Sequence, residues 1–242
     1  MEQQLSTLSV IISAFNDHQM TVRHVEECMK STRVPDEIIV VNDHGTPDLK
    51  EMLKAIPKNT KLIYAYIIDD IKWNYTGSRN LAIWLSRGDF ISLEDNDHIP
   101  ARDYYAHGLE ALALNPNVGR AKTHKRFVIP RDEILNKPME EWVQVASRPA
   151  HTDCAITRRE VFLKLKGYDE RFAGEYGWSA TFWRRRLIWA KIENVECGYM
   201  YVAESPKTRG LSYRNFKIAR THDNQIQTNH GILNFTYEFC EL

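Results

Sequence analysis

The chain has 242 residues and carries 32 basic against 32 acidic side chains, so its formal net charge is zero, with nine histidines left to tune it near neutrality. At 43% hydrophobic and 26% charged residues it has the make-up of a folded globule with a sizeable core, which excludes a disordered tail. The even balance also excludes a generic nucleic-acid coat, which needs surplus Lys and Arg, though not a local basic groove.

No apolar run approaches the roughly 20 residues needed to cross a bilayer, so no transmembrane segment is expected. The longest candidate, residues 62–68, is strand-sized. The start has an acid at Glu2 and no basic leader region, unlike a signal peptide. Cys28, Cys154, Cys197 and Cys240 lie far apart with no CxxC pair, which fits neither a zinc framework nor a disulfide scaffold. A cytoplasmic location is the expectation.

Residues 8–15 form a continuous apolar, β-branched run suited to a strand covered on both faces. Asn16 and Asp17 then offer helix caps, Val22, Val25 and Met29 recur at helical spacing, and Pro35 breaks the pattern. A second strand is predicted over 37–41, ended by the turn-rich NDHGTPD. A short helix over 49–56 leads to a third strand over 61–67. After IDDIKWNYTG comes a helix with Leu81, Trp84 and Leu85 on one face, closed by Gly88, and then a fourth strand over 90–93.

Strands alternating with helices predict an α/β fold, a mainly parallel sheet flanked by helices. Ligands in such sheets bind where loops leave the carboxyl ends of strands, and three polar loops, NDHG, YTGSRN and EDNDH, belong to that edge. The second half is less regular. Helices are predicted over 104–114, 158–166 and 179–191, residues 123–152 show no clean period, and 204–229 read as polar loop. With no repeat or low-complexity linker, one domain spanning 1–242 is the simplest organisation.

The most informative segment is FISLEDNDHIP, where an apolar strand runs into Asp95-Asn96-Asp97. Two carboxylates at i and i+2, where the chain turns, can converge on one hard cation such as Mg²⁺ or Mn²⁺ and leave positions open for a diphosphate. A bare DxD is as readily a solvated acidic turn or a helix cap. Its position at the end of a buried-type strand, beside two other polar loops, favours the metal.

Three segments together, IISAFN, then EIIVVNDHG, then GSRNLAIWLSRGDFISLEDNDHIP, resemble the nucleotide-sugar-binding half of a GT-A-type glycosyltransferase, most similar to family 2. Order and spacing agree over about 100 residues, and more loosely through GYDERF, Gly167 to Phe172. The resemblance implies a GT-A (nucleotide-diphospho-sugar transferase) fold, with residues 1–100 holding the donor and 101–242 the acceptor. It implies nucleotide contacts by Asp43, Arg79 and Asp95, and metal binding by Asp95 and Asp97. Asn42 stands where the family has a first acid, and His98 where it often has a third. Some members add a C-terminal histidine to the metal, for which His222 is the candidate and His230 the reserve.

The departure from the family lies later. Its helix opens with Glu-Asp, one of which takes the acceptor proton, but here Ser179 and Ala180 occupy those places. Glu175 is the nearest replacement for the catalytic base, with Asp169 and Asp153 behind it. The expected activity is metal-dependent transfer of a sugar from a nucleotide-diphosphate sugar, a UDP-sugar first among them, to an acceptor hydroxyl, with inversion the family's commoner outcome. HKRFVIPR and Arg184 to Arg186 fit a phosphate-containing acceptor such as a glycan, or DNA or RNA, and equally a solvated charged face. The alternatives are a catalytically silent sugar-nucleotide-binding protein and a nucleotidyltransferase. FNDHQ, where the latter needs a Gly-rich basic loop, speaks against it.

Overall fold

The computed structural model describes residues 6–204, 210–221 and 233–242. The first half is built as the hydropathy pattern predicts: β1 (Leu8–Ala14), α1 (His18–Met29), β2 (Glu37–Asn42), α2 (Asp48–Lys54), β3 (Lys61–Ile67), α3 (Tyr75–Leu85) and β4 (Phe90–Asp95). There follow β5 (His98–Pro100), α4 (Tyr104–Leu114), β6 (Arg120–Ile129), α5 (Arg131–Asn136), β7 (Ala146–Pro149) and β8 (Ala155–Arg158). The chain ends with α6 (Arg159–Leu165), α7 (Ser179–Trp189), β9 (Asn194–Ala203), α8 (Tyr213–Thr221) and β10 (Tyr237–Glu241).

All strands join one sheet in the order β10-β3-β2-β1-β4-β8-β6-β9-β5, with β7 added on β6. β3, β2, β1 and β4 are parallel, as are β6 and β9, while β8 and the outer strands run antiparallel. Alternation along the strands divides the core into two layers. Val10, Ile12, Ile38 and Val40 pack on one face with α1 and α2 residues such as Val25 and Leu53. Ile11, Ile39, Val41 and Leu93 pack on the other with Leu81, Phe162 and Trp183. Both faces being covered explains why these strands are apolar throughout; each such side chain contributes about 1.5–3 kcal/mol by leaving water.

Register brings the functional loops together. Ala14 lies opposite Asn42, and Ser13 opposite Asp95, so β1, β2 and β4 end side by side. Two expectations are corrected. Trp84 is 66% exposed, because α3 turns Ser78, Leu81 and Ala82 toward β1 and β2 and leaves Trp84 on the opposite side. Part of the expected 204–229 loop is α8, whose stripe toward Phe172 and Phe182 is Asn215, Ile218 and Ala219. An asparagine and an alanine on that stripe hide its period.

Candidate active site

The loop after β2 is closed by Asn42. Its Oδ1 accepts from the Gly45 backbone N–H at 2.8 Å, and its Nδ2 donates to Thr46 O at 3.0 Å and to the Tyr64 hydroxyl at 3.1 Å. A Cβ on Gly45 would meet Asn42 Oδ1 at 2.5 Å, so only glycine fits that approach. Asn42 is therefore spent on turn chemistry. Asp43 is not: it is 9% exposed, and its Oδ1 has no hydrogen-bond partner. Burial pushes its carboxyl up to about 7, opposed by the Asn74 backbone N–H and His44 and aided by Asp70. A nearly buried carboxylate oxygen without a partner at a strand end is an acceptor waiting for a donor group.

Arg79, expected at the nucleotide, is turned inward instead. It is 1% exposed, with Nη2 at 2.5 Å from Asp95 Oδ1 and Nη1 at 3.2 Å from Asp153 Oδ2 and 3.1 Å from the Tyr168 hydroxyl. The Tyr75 ring stacks 4.1 Å from its guanidinium carbon. The Tyr75 hydroxyl stands 3.0 Å from both Asp95 Oδ1 and Asp153 Oδ2, and Tyr168 donates to Asp153 Oδ1 at 2.6 Å. This buried bridge, in which Tyr75 and Tyr168 were not foreseen and Asp153 was expected only as a reserve base, fixes Asp95 in place. Burial works against the ionised Asp95, but Arg79, His98, His151 and the Tyr75 hydroxyl outweigh it and hold the carboxyl well below its usual range.

Asp97 lies at the mouth, more exposed than Asp95. Its Oδ1 is 2.7 Å from His98 Nδ1. Burial opposes a charged His98 ring, but the Cys154 and Asp97 neighbours outweigh it and hold the imidazole pKa well above its usual value. On its far side, His98 Nε2 lies 2.8 Å from Arg126 Nη1. Asp95, Asp97 and His98 each offer a ligand atom within 4.8 Å of the others. Arg79 pairs with both Asp95 and Asp153, while Asp97 stands beside Asp95 and His98. The oxygen-rich donor set of Asp95 and Asp97 fits Mg²⁺ or Mn²⁺.

The candidate bases are separated by burial. Asp153 is enclosed in the tyrosine–arginine bridge, and Asp169 caps a short turn through the Arg171 backbone N–H at 3.1 Å and Nε at 2.9 Å. Glu175 is only half-buried; its carboxylate accepts from the Ser212 hydroxyl, and its carbonyl from Asn215 Nδ2 at 2.8 Å. Nearby, Tyr176 meets Trp73 edge-on at 4.9 Å, which brings this segment against the loop leading to Tyr75. α7 opens at Ser179 with no acid in its first turn. His222 and His230 lie outside the described residues.

No helix among the described residues is long and apolar enough to cross a membrane. Among curated proteins, an uncharacterized glycosyltransferase of Rickettsia bellii is 30% identical over 92 residues, 38% of this chain and 13% of that protein. The Campylobacter jejuni GalNAc(5)-diNAcBac-PP-undecaprenol beta-1,3-glucosyltransferase is 24% identical over 193 residues, 73% of this chain and 58% of that protein. Among solved structures, the Pyrobaculum calidifontis mannosyltransferase PcManGT in complex with GDP-Man and Mn²⁺ has a TM-score of 0.61 at 17% identity, covering 89% of this chain and 61% of that one. S. aureus TarS 1-349 in complex with UDP-GlcNAc has a TM-score of 0.66 at 12% identity, covering 88% and 65%. The chain spans less than two thirds of the length of each of these proteins. They establish the GT-A fold, and the model of the family described as "Glycosyl transferase family 2" matches residues 9–165, so the chain belongs to that family.

Proposed function

We propose that this chain is a divalent-metal-dependent glycosyltransferase that moves a sugar from a nucleotide diphosphate, a UDP-sugar first among the candidates, to an acceptor hydroxyl. The observation that carries this reading is the meeting, at one sheet edge, of the Asp95–Asp97 pair with the unsatisfied Asp43 carboxylate. Asp95 and Asp97 are the residues that would hold Mn²⁺ or Mg²⁺, and the ion would supply positive charge to a leaving diphosphate. Asp43 accepts hydrogen bonds from the nucleoside and so orients the donor for in-line attack. Arg79 and Tyr75 keep Asp95 ionised and immobile, which spares reorganisation while charge separates. Glu175 takes the acceptor proton, a role worth typically about 10²–10⁴-fold in rate.

Calorimetric titration with UDP, with and without Mn²⁺, tests the donor site. Metal-dependent binding that disappears in Asp97→Ala supports the proposal, and binding indifferent to metal and to Asp97 refutes it. The lack of an acid in the first turn of α7 favours a second reading, a sugar-nucleotide-binding protein without turnover. Metal-dependent UDP binding with no hydrolysis or transfer from a panel of UDP-sugars would select it.

A further inference from the structure

A cavity of about 450 Å³ lies between the β6 face and α7, apart from the carboxylate pair. Strand alternation points Arg120, Lys122 and His124 into it, α7 adds Arg184, and the segment before β8 adds His151. No acidic residue lines it. Glu196 lies nearby, 2.8 Å from His124 Nδ1 and 3.9 Å from Lys122 Nζ. Arg120 is 4% exposed and meets only neutral acceptors among the described contacts: Thr157 Oγ1 at 3.1 Å, Thr152 O at 2.6 Å and Asn194 Oδ1 at 3.4 Å. Arg184 is exposed and makes no ion pair among the described residues. Asp153 and Tyr168 are the electrostatic neighbours of Arg120, but no described contact pairs either with it directly, and an anion in the cavity would complete a guanidinium that now meets neutral acceptors.

The opposite wall is apolar, with Ile188, which is 62% exposed, and Ile192. His151 connects the cavity to the carboxylates. Its Nδ1 is 3.9 Å from Asp153 Oδ2, and its ring centroid lies 6.2 Å from that of His98, which in turn holds Asp97. Of the basic residues seen in the sequence, few reach this cavity. Arg185 and Arg186 are bound to backbone carbonyls, Arg126 to Pro149 O and His98, and Arg131 to Asp17. The charge in the cavity is therefore a selected subset rather than a diffuse face.

We infer that this cavity binds the phosphate or diphosphate group of the acceptor, so that the acceptor class is a phosphorylated molecule. The inference rests on the glycosyl-transfer reading for the word acceptor, but the phosphate site itself stands on the cavity. Lys122, Arg184 and Arg120 supply charge-assisted bonds to phosphate oxygens, and the Ile188 side receives the attached body.

The test is metal-free calorimetry in EDTA with three probes: inorganic pyrophosphate, glucose 1-phosphate and farnesyl diphosphate. At least one binds the wild-type chain, and Arg184→Glu weakens that binding about tenfold or more. Lys58→Glu, the same charge change on a remote surface, binds as wild type. Arg184→Glu keeps metal-dependent UDP binding, which separates this site from the donor site. Farnesyl diphosphate binding tightest assigns a lipid-linked acceptor; pyrophosphate or glucose 1-phosphate binding as well or better assigns a soluble phosphate. No metal-free binding by any probe, or equal binding by wild type and Arg184→Glu, overturns the inference. Loss of UDP–Mn²⁺ binding in the wild type, with phosphate binding retained, would refute only the glycosyl-transfer reading.

Discussion

Arg79 Nη2 sits 2.5 Å from Asp95 Oδ1, so one oxygen of the first acid in the pair is committed to the protein's interior. Asp95 is an anchor with one oxygen left for a ligand, and Asp97 is its more exposed partner. Residues that brace the site and residues that bind ligand should therefore separate cleanly on mutation.

Arg79→Met should destabilise the fold by about 3–5 kcal/mol, because it takes from the buried Asp153 and the part-buried Asp95 the guanidinium that pairs with both. Urea unfolding measures this directly. An arginine whose only role was to touch a nucleotide would leave the unfolding midpoint unchanged.

Asp97→Asn should behave in the opposite way. Its side chain is part-exposed and its one described protein partner is His98, so the stability change should stay within about 1 kcal/mol. Metal-dependent UDP binding should be lost. Thermal unfolding and calorimetry on the same sample check both halves.

Asp43 predicts a pH dependence. Its folded carboxyl is pushed from 3.8 to about 7, so across that window the folded chain holds a proton that the unfolded chain has released. Stability from this group accordingly falls as pH rises through the window and levels off above it. On the proposed reading, in which the ionised Asp43 accepts from the nucleoside, affinity for uridine, which has no titrating phosphate, should rise about tenfold from pH 6 to pH 8. Asp43→Asn should abolish that slope in NMR titrations.

Glu175→Gln should lower transfer by about 10²–10⁴-fold and leave UDP–Mn²⁺ affinity unchanged. Steady-state assays with saturating donor report the first and calorimetry the second. Turnover equal to wild type would remove Glu175 as the base.

The parallel half of the sheet was legible because β1 to β4 are buried on both faces and so are written as unbroken apolar runs. β7 is exposed along its whole length and carries no such signal, and β9 interrupts its alternation with Gly198. β10 returns to the far edge of β3 from the chain's end, a pairing that no local pattern announces. At the site, Asp43, Asp95 and Asp97 stood out as acids directly after apolar strands. Tyr75 and Tyr168 did not, and Asp153 was read only as a reserve base, because their bridge forms only when segments 78 and 15 residues apart meet around Arg79. The same remoteness hides the internal partners of Arg79, whose motif context names only a donor contact.

The hydrogen bond between Asp97 and His98 also gears the mouth of the site to the paired strands β6 and β7. Asp97 cannot swing Oδ1 outward without letting go of the imidazole, and that ring is gripped on its far side by Arg126, whose Nε holds Pro149 O at 2.9 Å. Pro149 borders the cationic cavity. Movement of one carboxylate is thereby transmitted along three side chains to the rim where a second molecule would dock, so filling either compartment should be felt mechanically in the other.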